Sequence, residues 1–392
     1  MSISLLTAAA GGTDRRGVAS FVGKGCKALF GALVLVMIMP GAASASVSLV
    51  PEDTAAAAGE VYALDVVDGR AIIGGLFTGV GGQARSNVAA ITADGKVDKV
   101  FNPGANGQVK AVAASEDGSV IFLGGLFTEA GGAQRANLAA VDAVTGEALA
   151  EWQADTAGTN PDVTSLAVHG NRLYVGGRFA RIDGRRYSRM VALNASTGEL
   201  LTGFQPAPDN KVTEVVVSPD GMTVYAGGAF SVLGGQPRLR AGSVDAITGS
   251  ATSFSPSGSG GNAVTVGLSP DGQRFFVGTQ NNTLFAYDPA VSNAPVWSIK
   301  TSGDTQAIAV SDDEMWIGGH FSQIVTGKIP RPFIASLDPV DGSVNAWNPQ
   351  CAGPKMGVWA LQHDGSHLHA GGLFASFNGV RQRGYARFAE LP

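Results

Sequence analysis

The feature that most constrains this chain is an internal repeat of about 50 residues that fills most of its 392-residue length. Each copy contains a glycine pair after a short apolar run, as in Ile72-Ile73-Gly74-Gly75, and the fifth copy keeps only the first glycine of the pair. The first glycine of each copy is Gly74, Gly124, Gly176, Gly227, Gly278, Gly318 or Gly371, so the intervals are 50, 52, 51, 51, 40 and 53 residues. Seven copies of this length predict stacked units that bury their faces only against one another.

Within each copy the apolar residues alternate with a period of two, which predicts β-strands. Strands a and b are joined by an Asp-Gly pair such as Asp68-Gly69, which accepts the positive φ angles of a two-residue hairpin. Strand c turns at an Asp-Gly or Thr-Gly pair such as Thr145-Gly146, and strand d carries an aromatic residue such as Trp152. The pattern predicts an all-β fold, a seven-bladed β-propeller of four-stranded antiparallel blades.

The predicted propeller is a single domain of residues 46–392. Its blades are expected near residues 61–103, 109–154, 163–206, 212–256, 264–299, 307–349 and 358–388. The seventh copy has no strand d, whereas Leu49-Val50-Pro51 repeats the frame in which strand d ends elsewhere, as in Phe101-Asn102-Pro103. We therefore expect residues 46–51 to close the last blade. The fifth copy lacks the long loop between strands b and c, so one blade should be bare on that face.

Residues 1–45 are predicted to be a signal peptide. Basic residues from Arg15 to Lys27 precede an uncharged apolar run over 28–39, and Ala43-Ser44-Ala45 offers the small residues of a cleavage site. Twelve apolar residues are too few to span a bilayer, which needs about 20. The mature protein is expected to be secreted and extracellular, without a membrane span. The Arg15-Arg16 pair leaves twin-arginine export open beside the general route, and an uncleaved signal anchor is the alternative.

Composition narrows the class of partner. Charged residues make up 15% of the chain and hydrophobic residues 45%, a balance that excludes general disorder. The 27 basic and 32 acidic residues give a net charge of −5, which argues against a nucleic-acid partner. Of the two cysteines only Cys351 lies after residue 45, so the mature domain cannot form an intrachain disulfide. We expect a monomer.

The composite motif of each copy resembles a known repeat. Gly-Gly-x-Phe, a second Gly-Gly or x-Gly, an arginine, a Leu-Ala-like strand and an Asp-Gly or Thr-Gly turn resemble the delta-60 repeat, the β-propeller repeat of exported bacterial proteins of unknown function. The motif is also similar to the propeller of a fungal cell-cortex marker of bud-site selection. The resemblance covers about residues 58–388. It implies a propeller with an exported, surface-related role, and it implies no reaction.

Candidates for chemistry are few. His363, His367 and His369 surround one hairpin, and a metal site there competes with inter-blade packing, because His369 occupies the slot that Ile72 and other bulky residues hold in other copies. We interpret His369 as packing and expect no metal. His320, between Gly319 and Phe321, is interpreted as a tolerated variant of the repeat. No nucleophile elbow, zinc-binding helix or phosphate loop occurs, so neither a catalytic residue nor a cofactor is predicted.

One pattern does suggest binding. The loop between strands b and c brings an arginine to the same face of most blades. Arg85, Arg135, Arg238 and Arg331 fall at the same place, and Arg186 and Arg383 lie near it in the third and seventh copies. Each guanidinium could staple its own loop through its five donors. The alternative is a rim that binds an anionic ligand, such as an acidic glycan or the carboxylates of a protein.

The sequence therefore favours an exported, non-catalytic propeller that serves as a binding or scaffold module for protein or glycan at the cell surface. The alternative is an extracellular polysaccharide hydrolase or lyase with its site at the mouth of the central channel. Departures from the repeat look few and scattered in the sequence, which favours the binding module. A Glu, an Asp, a His and a Tyr that converge at the channel would favour the enzyme.

Overall fold

A computed structural model describes residues 47–258, 260–354 and 357–391. The predicted signal peptide of residues 1–45 lies outside the described residues. In these ranges the fold is all-β, with a single 3-10 turn at Thr326–Lys328. Across them, no helical segment reaches the length and apolar character that a membrane crossing requires.

The first strands are β1 (Ala57–Val67), β2 (Arg70–Val80), β3 (Gln83–Ala84), β4 (Val88–Ile91), β5 (Gln108–Ala114), β6 (Val120–Leu126), β7 (Glu129–Ala130), β8 (Ala133–Gln134), β9 (Leu138–Asp142), β10 (Thr156–Ala157), β11 (Asp162–His169), β12 (Arg172–Arg178), β13 (Arg181–Ile182), β14 (Met190–Asn194), β15 (Val212–Val217) and β16 (Thr223–Gly228). The chain continues with β17 (Val232–Leu233), β18 (Gln236–Pro237), β19 (Ala241–Asp245), β20 (Ala263–Leu268), β21 (Phe275–Thr279), β22 (Thr283–Tyr287), β23 (Pro295–Lys300), β24 (Thr305–Val310), β25 (Met315–Gly319), β26 (Gln323–Ile324), β27 (Ile329–Pro330), β28 (Ile334–Leu337), β29 (Gly357–His363), β30 (His367–Leu373), β31 (Ser376–Phe377), β32 (Val380–Arg381) and β33 (Tyr385–Ala389).

These strands form one antiparallel sheet for each copy of the repeat, and we number the sheets 1 to 7 along the chain. Over the described ranges their strand sets are β1-β2-β4 with β3, β5-β6-β9, β11-β12-β14, β15-β16-β19, β20-β21-β22-β23, β24-β25-β28 and β29-β30-β33. The first strand of each sheet, which we call the central strand, packs against the central strand of the next sheet. Short two-stranded hairpins, such as β7-β8, occupy several b–c loops.

The expected four-stranded blade is found in regular form only in sheet 5, within the part of the chain that the structure describes. Elsewhere strand d is reduced to single bridges such as Val141↔Ala148 and Leu193↔Leu200. The segment then turns, as where the Trp152 amide donates to the Leu149 carbonyl at 3.2 Å. This turn directs the Trp152 side chain into the core, where it is 1% exposed. The hydrogen-bond ladder between strands c and d therefore ends early, because the aromatic residue is buried.

The glycine pair fits the sheets together. A Cβ on Gly74 would lie 2.6 Å from Cγ1 of Val109 in the next sheet, and one on Gly75 would lie 1.9 Å from the carbonyl oxygen of Glu60 in its own sheet. Both positions therefore exclude a side chain. A Cβ on Gly371 of sheet 7 would lie 2.7 Å from Cγ1 of Val61 in sheet 1, so sheet 7 meets sheet 1 in the same way as sheet 1 meets sheet 2.

The start of the described chain lies beside its end. Val47 forms a bridge with Glu390, and the Ser48 amide donates to the Ala389 carbonyl at 2.8 Å. The indole N–H of Trp347 in the preceding sheet donates to the Ser48 carbonyl at 3.1 Å. Val47 is 1% exposed. The N-terminal segment is therefore bonded to the outer strand of sheet 7.

Candidate functional site

The arginines at the repeated loop position act within their own sheets. Arg135 is 5% exposed, and its Nη1 and Nη2 groups donate to the carbonyls of Gln134 and Leu149, both at 2.8 Å. Each such arginine links its b–c loop to the segment after strand c. The same pair of bonds is made by Arg85 to Ala84 and Asp98, by Arg238 to Pro237 and Thr252, and by Arg331 to Pro330 and Asn345. These contacts support the stapling interpretation for four of the six arginines.

The other two arginines lie elsewhere. The position eleven residues after the first glycine is Tyr187 in the third copy and Gln382 in the seventh. Gln382 is 5% exposed, and its side-chain amide donates to Thr54 Oγ1 at 2.9 Å. Arg186 and Arg383 are exposed beside these residues. The six arginines thus do not share one environment, and a binding role for Arg186 and Arg383 stays a prediction.

A different set of side chains, with one from each central strand, lines a single cavity. Each central strand has a β-bulge near its start, where one extra residue interrupts the register, as between Val61 and Ala63. A bulge re-aims the side chain of the extra residue. The bulge residues are Tyr62, Lys110, Thr164, Thr213, Val264, Gln306 and Trp359. With Gln108, Lys211 and His320 they line a cavity of about 390 Å³, which we call the mouth.

The mouth adjoins a channel between the central strands. This channel is a cavity of about 580 Å³, and it shares Tyr62, Lys110 and Trp359 with the mouth. Further in, Glu214 accepts hydrogen bonds from the Thr265 hydroxyl at 2.6 Å and the Val266 amide at 2.7 Å, and burial raises its pKa to about 7. Both bonds cross to the next sheet, so this carboxyl group joins neighbouring sheets.

One side of the mouth is aromatic and carries a histidine. The rings of Tyr62 and Trp359 stack, with centroids 4.9 Å apart and planes at 18°. The Trp359 indole donates to His320 Nε2 at 3.2 Å, and His320 Nδ1 lies 2.8 Å from Asp304 Oδ1. Because Nε2 accepts from Trp359, the proton of neutral His320 belongs on Nδ1, where it is donated to Asp304. The Tyr62 hydroxyl donates to the Glu60 carboxylate.

The other side of the mouth is cationic. Asp162 is 1% exposed, and three cations surround its carboxylate. Lys110 Nζ lies 2.9 Å and Lys211 Nζ 3.8 Å from Asp162 Oδ2, and Arg178 Nε lies 3.7 Å from Oδ1. Burial lowers the pKa of Lys211, and the neighbouring Lys110 and Arg178 lower it further against the opposing effect of Asp162.

The histidines near the last hairpin form a separate cluster. His363 bonds to Glu390 at 2.8 Å and stacks on Trp316, so it does not join the other two. Asp364, His367 and His369 place possible metal-ligand atoms within 4.8 Å of one another. His369 is 1% exposed, with Nδ1 2.9 Å from the Tyr385 hydroxyl and Nε2 3.0 Å from Asp364 Oδ2. These bonds explain its burial, and the absence of a metal stays a prediction.

The structure changes the interpretation of His320. It is not an isolated variant of the repeat, because Asp304 and Trp359 hold both of its ring nitrogens at the mouth. Several side chains that differ between copies, among them His320 and Trp359, line the mouth together. The sequence does contain a signal for them: the residue after the first valine of strand a, such as Tyr62, Lys110 or Thr164, changes its chemical type from copy to copy.

Comparisons with known proteins agree with this geometry at the level of the fold. Residues 68–101 match a family model described as a domain of unknown function (DUF5122) β-propeller. A structure described as the mitotic checkpoint complex aligns with a TM-score of 0.61 and 13% identity, over 96% of this chain and 99% of that chain. The computationally designed Ika8 protein aligns with a TM-score of 0.53 and 13% identity, over 88% of this chain and 100% of that one. No curated protein matches. The chain thus has an all-β fold of the β-propeller type.

Proposed function

We propose that this chain is an exported seven-bladed β-propeller that serves as a glycan-binding module at the cell surface. The blade number is supported by one sheet for each of the seven copies, and ring closure by the equivalent contacts of Gly74 with Val109 and Gly371 with Val61. The N-terminal segment completes the last blade through its bonds to residues 389 and 390. Export rests on the predicted signal peptide of residues 1–45 and on the resemblance to the delta-60 repeat.

The observation that carries the binding role is the convergence of non-repeating side chains at the mouth. Aromatic rings such as Trp359 offer an apolar face to the C–H groups of a sugar, and Gln306, Thr164 and Thr213 in the same cavity are hydrogen-bonding partners for hydroxyl groups. A cavity of about 390 Å³ falls in the range of small-ligand sites, whereas an interface with a globular protein usually buries about 800 Å² on each partner. The ligand is therefore a sugar unit rather than a folded protein.

The test is binding of the mature chain to a panel of oligosaccharides, followed by calorimetry on the sugars that bind. Tyr62→Ala and Trp359→Phe should each weaken binding about tenfold or more, because the first removes a stacked ring and the second removes the indole donor to His320. Lys96→Gln, at an exposed ion pair with Asp94, is the control and should bind like the wild type. Failure of the whole panel to bind would contradict the proposal.

A second candidate function uses the same site. His320, oriented by Asp304, lines the mouth together with Tyr62, whose hydroxyl donates to Glu60, and this set of groups suits an extracellular polysaccharide lyase or hydrolase. In the lyase case a base takes the proton next to a sugar carboxylate, a C=C bond forms, the glycosidic C–O bond breaks, and the leaving oxygen keeps the electron pair and takes a proton from an acid or from water. Release of unsaturated products or reducing ends by the wild type, and its loss in His320→Gln, would establish the enzyme. Binding of a sugar without release of a product would instead support the binding module.

A further inference from the structure

We infer that the mouth selects sugars that carry a carboxylate, and that Lys110, Lys211 and Arg178 hold this group. The inference rests on the proposed glycan-binding function and adds the chemical class of its ligand. The predicted arginine rim was the expected anion site, but four of its guanidinium groups are used on carbonyls of their own sheets. The cations at the mouth are different residues, which the sequence analysis did not single out.

The first argument is local charge. Three cations surround Asp162, so this side of the mouth carries an excess of two positive charges. The chain as a whole has a net charge of −5, so the excess is a local feature. Like charges held together at a partly desolvated site repel one another, and an anion that enters relieves this repulsion. Only Lys110 approaches Asp162 within 3 Å, which leaves Lys211 and Arg178 less fully paired.

The second argument is access. The Lys110 and Lys211 side chains are 24% and 32% exposed, and that of Arg178 is 52% exposed. The Nε of Arg178 also donates to the Asn160 carbonyl at 3.0 Å, which fixes the stem of the side chain. Lys110 and Lys211 line the mouth cavity itself. The two lysines therefore reach solvent where a ligand would sit, and Arg178 lies beside them at the Asp162 carboxylate.

The third argument is position. The cations lie in or directly beside the strands of sheets 2, 3 and 4, whereas Tyr62, Trp359 and His320 lie in or directly beside those of sheets 1, 7 and 6. Because each central strand packs against the next one along the chain, and β29 packs against β1, sheets 6, 7 and 1 form one run of neighbours beside the mouth and sheets 2, 3 and 4 form another. A sugar ring that stacks on the aromatic side would direct a ring carboxylate toward the cations. A uronic acid unit has both parts, an apolar ring face and one carboxylate.

The experiment compares trigalacturonate with the neutral trisaccharide of galactose by calorimetry on the mature chain. The wild type should bind the acidic sugar about tenfold more tightly, and higher salt should weaken only this preference. Lys110→Gln with Lys211→Gln should remove most of the tenfold preference for the acidic sugar. Arg178→Gln, a more exposed change that tests the same charge with less risk to folding, should reduce the preference in part. Lys96→Gln, at an exposed ion pair with Asp94, is the control and should leave it unchanged.

The outcomes separate the two proposals. Equal binding of both sugars by the wild type, with Trp359→Phe still harmful, would overturn the carboxylate inference and keep the glycan-binding function. An acidic preference that survives in folded variants of all three cations would also overturn the inference. If the protein binds neither trisaccharide and no other sugar in the panel, both proposals are wrong.

Discussion

Replacement of Arg135 by Gln tests whether the repeated arginines hold the sheets together. The change removes two charge-assisted hydrogen bonds, to the Gln134 and Leu149 carbonyls, from a side chain that is 5% exposed. Buried hydrogen bonds to a charged group contribute about 1.5–3 kcal/mol each, and a glutamine at this position is too short to bridge both carbonyls. Since the Gln134 carbonyl is near the surface and regains water, we expect a loss of about 2–4 kcal/mol in the free energy of unfolding.

The assay is urea denaturation of the mature chain, followed by tryptophan fluorescence. Trp152 lies in the segment that Arg135 ties down, so its burial reports the local structure as well. Arg186→Gln removes the same charge from an exposed loop position and should change stability by less than about 0.5 kcal/mol. Equal unfolding midpoints for the two variants would refute the stapling argument and return Arg135 to the list of candidate ligand-binding residues.

Three further outcomes are expected. Deletion of residues 47–51 should lower the melting temperature by several degrees, because it exposes the edge of sheet 7 and removes buried Val47, and an unchanged melt would contradict closure of the ring. The pKa of Glu214 is about 7 in the folded state, against an ordinary value of 4.5. Between these two values the folded state keeps a proton that the unfolded state releases. The free energy of unfolding should therefore fall by roughly 2–3 kcal/mol as the pH rises from 5 to 8. Glu214→Gln should flatten that slope in urea titrations at pH 5 and pH 8, and an unaltered slope would show that Glu214 is not its source. N-terminal sequencing of the secreted protein should give Ser46, and a retained leader would refute cleavage after Ala45.

The repeat unit could be predicted from the sequence because its signals are local. Alternation of apolar residues fixes the strands, and Asp-Gly pairs mark the hairpins, as at Asp68-Gly69, where both residues have positive φ angles of 50° and 70°. The glycine pair marks the close contact between sheets. The irregular strand d could not be predicted, because the end of its ladder depends on how deeply residues such as Trp152 insert between sheets.

The candidate site could not be predicted from the repeat, because it consists of residues that differ from one copy to the next. Tyr62, Lys211 and His320 are far apart in the chain and line one cavity only because the central strands pack side by side. The position of a bulge depends on the register of two strands, which alternation alone does not define. The repeated arginines were predicted instead, and they stabilise the sheets. A residue that recurs at one place in most copies supports the structure that all copies share.

The geometry of the bulge explains how a uniform fold can hold a non-uniform site. The valine before the bulge, such as Val109, must enter the space that the missing side chain of Gly74 leaves in the preceding sheet. The extra residue that follows, Lys110, is thereby turned away from this contact and lines the mouth. Its side chain takes no part in fitting the two sheets together, so its chemical type is free to differ among copies as Tyr62, Lys110 and Trp359 do. The contact between sheets therefore fixes the positions of the mouth residues, whereas the bulge allows their residue types to vary. A binding site on a repeat protein requires both properties.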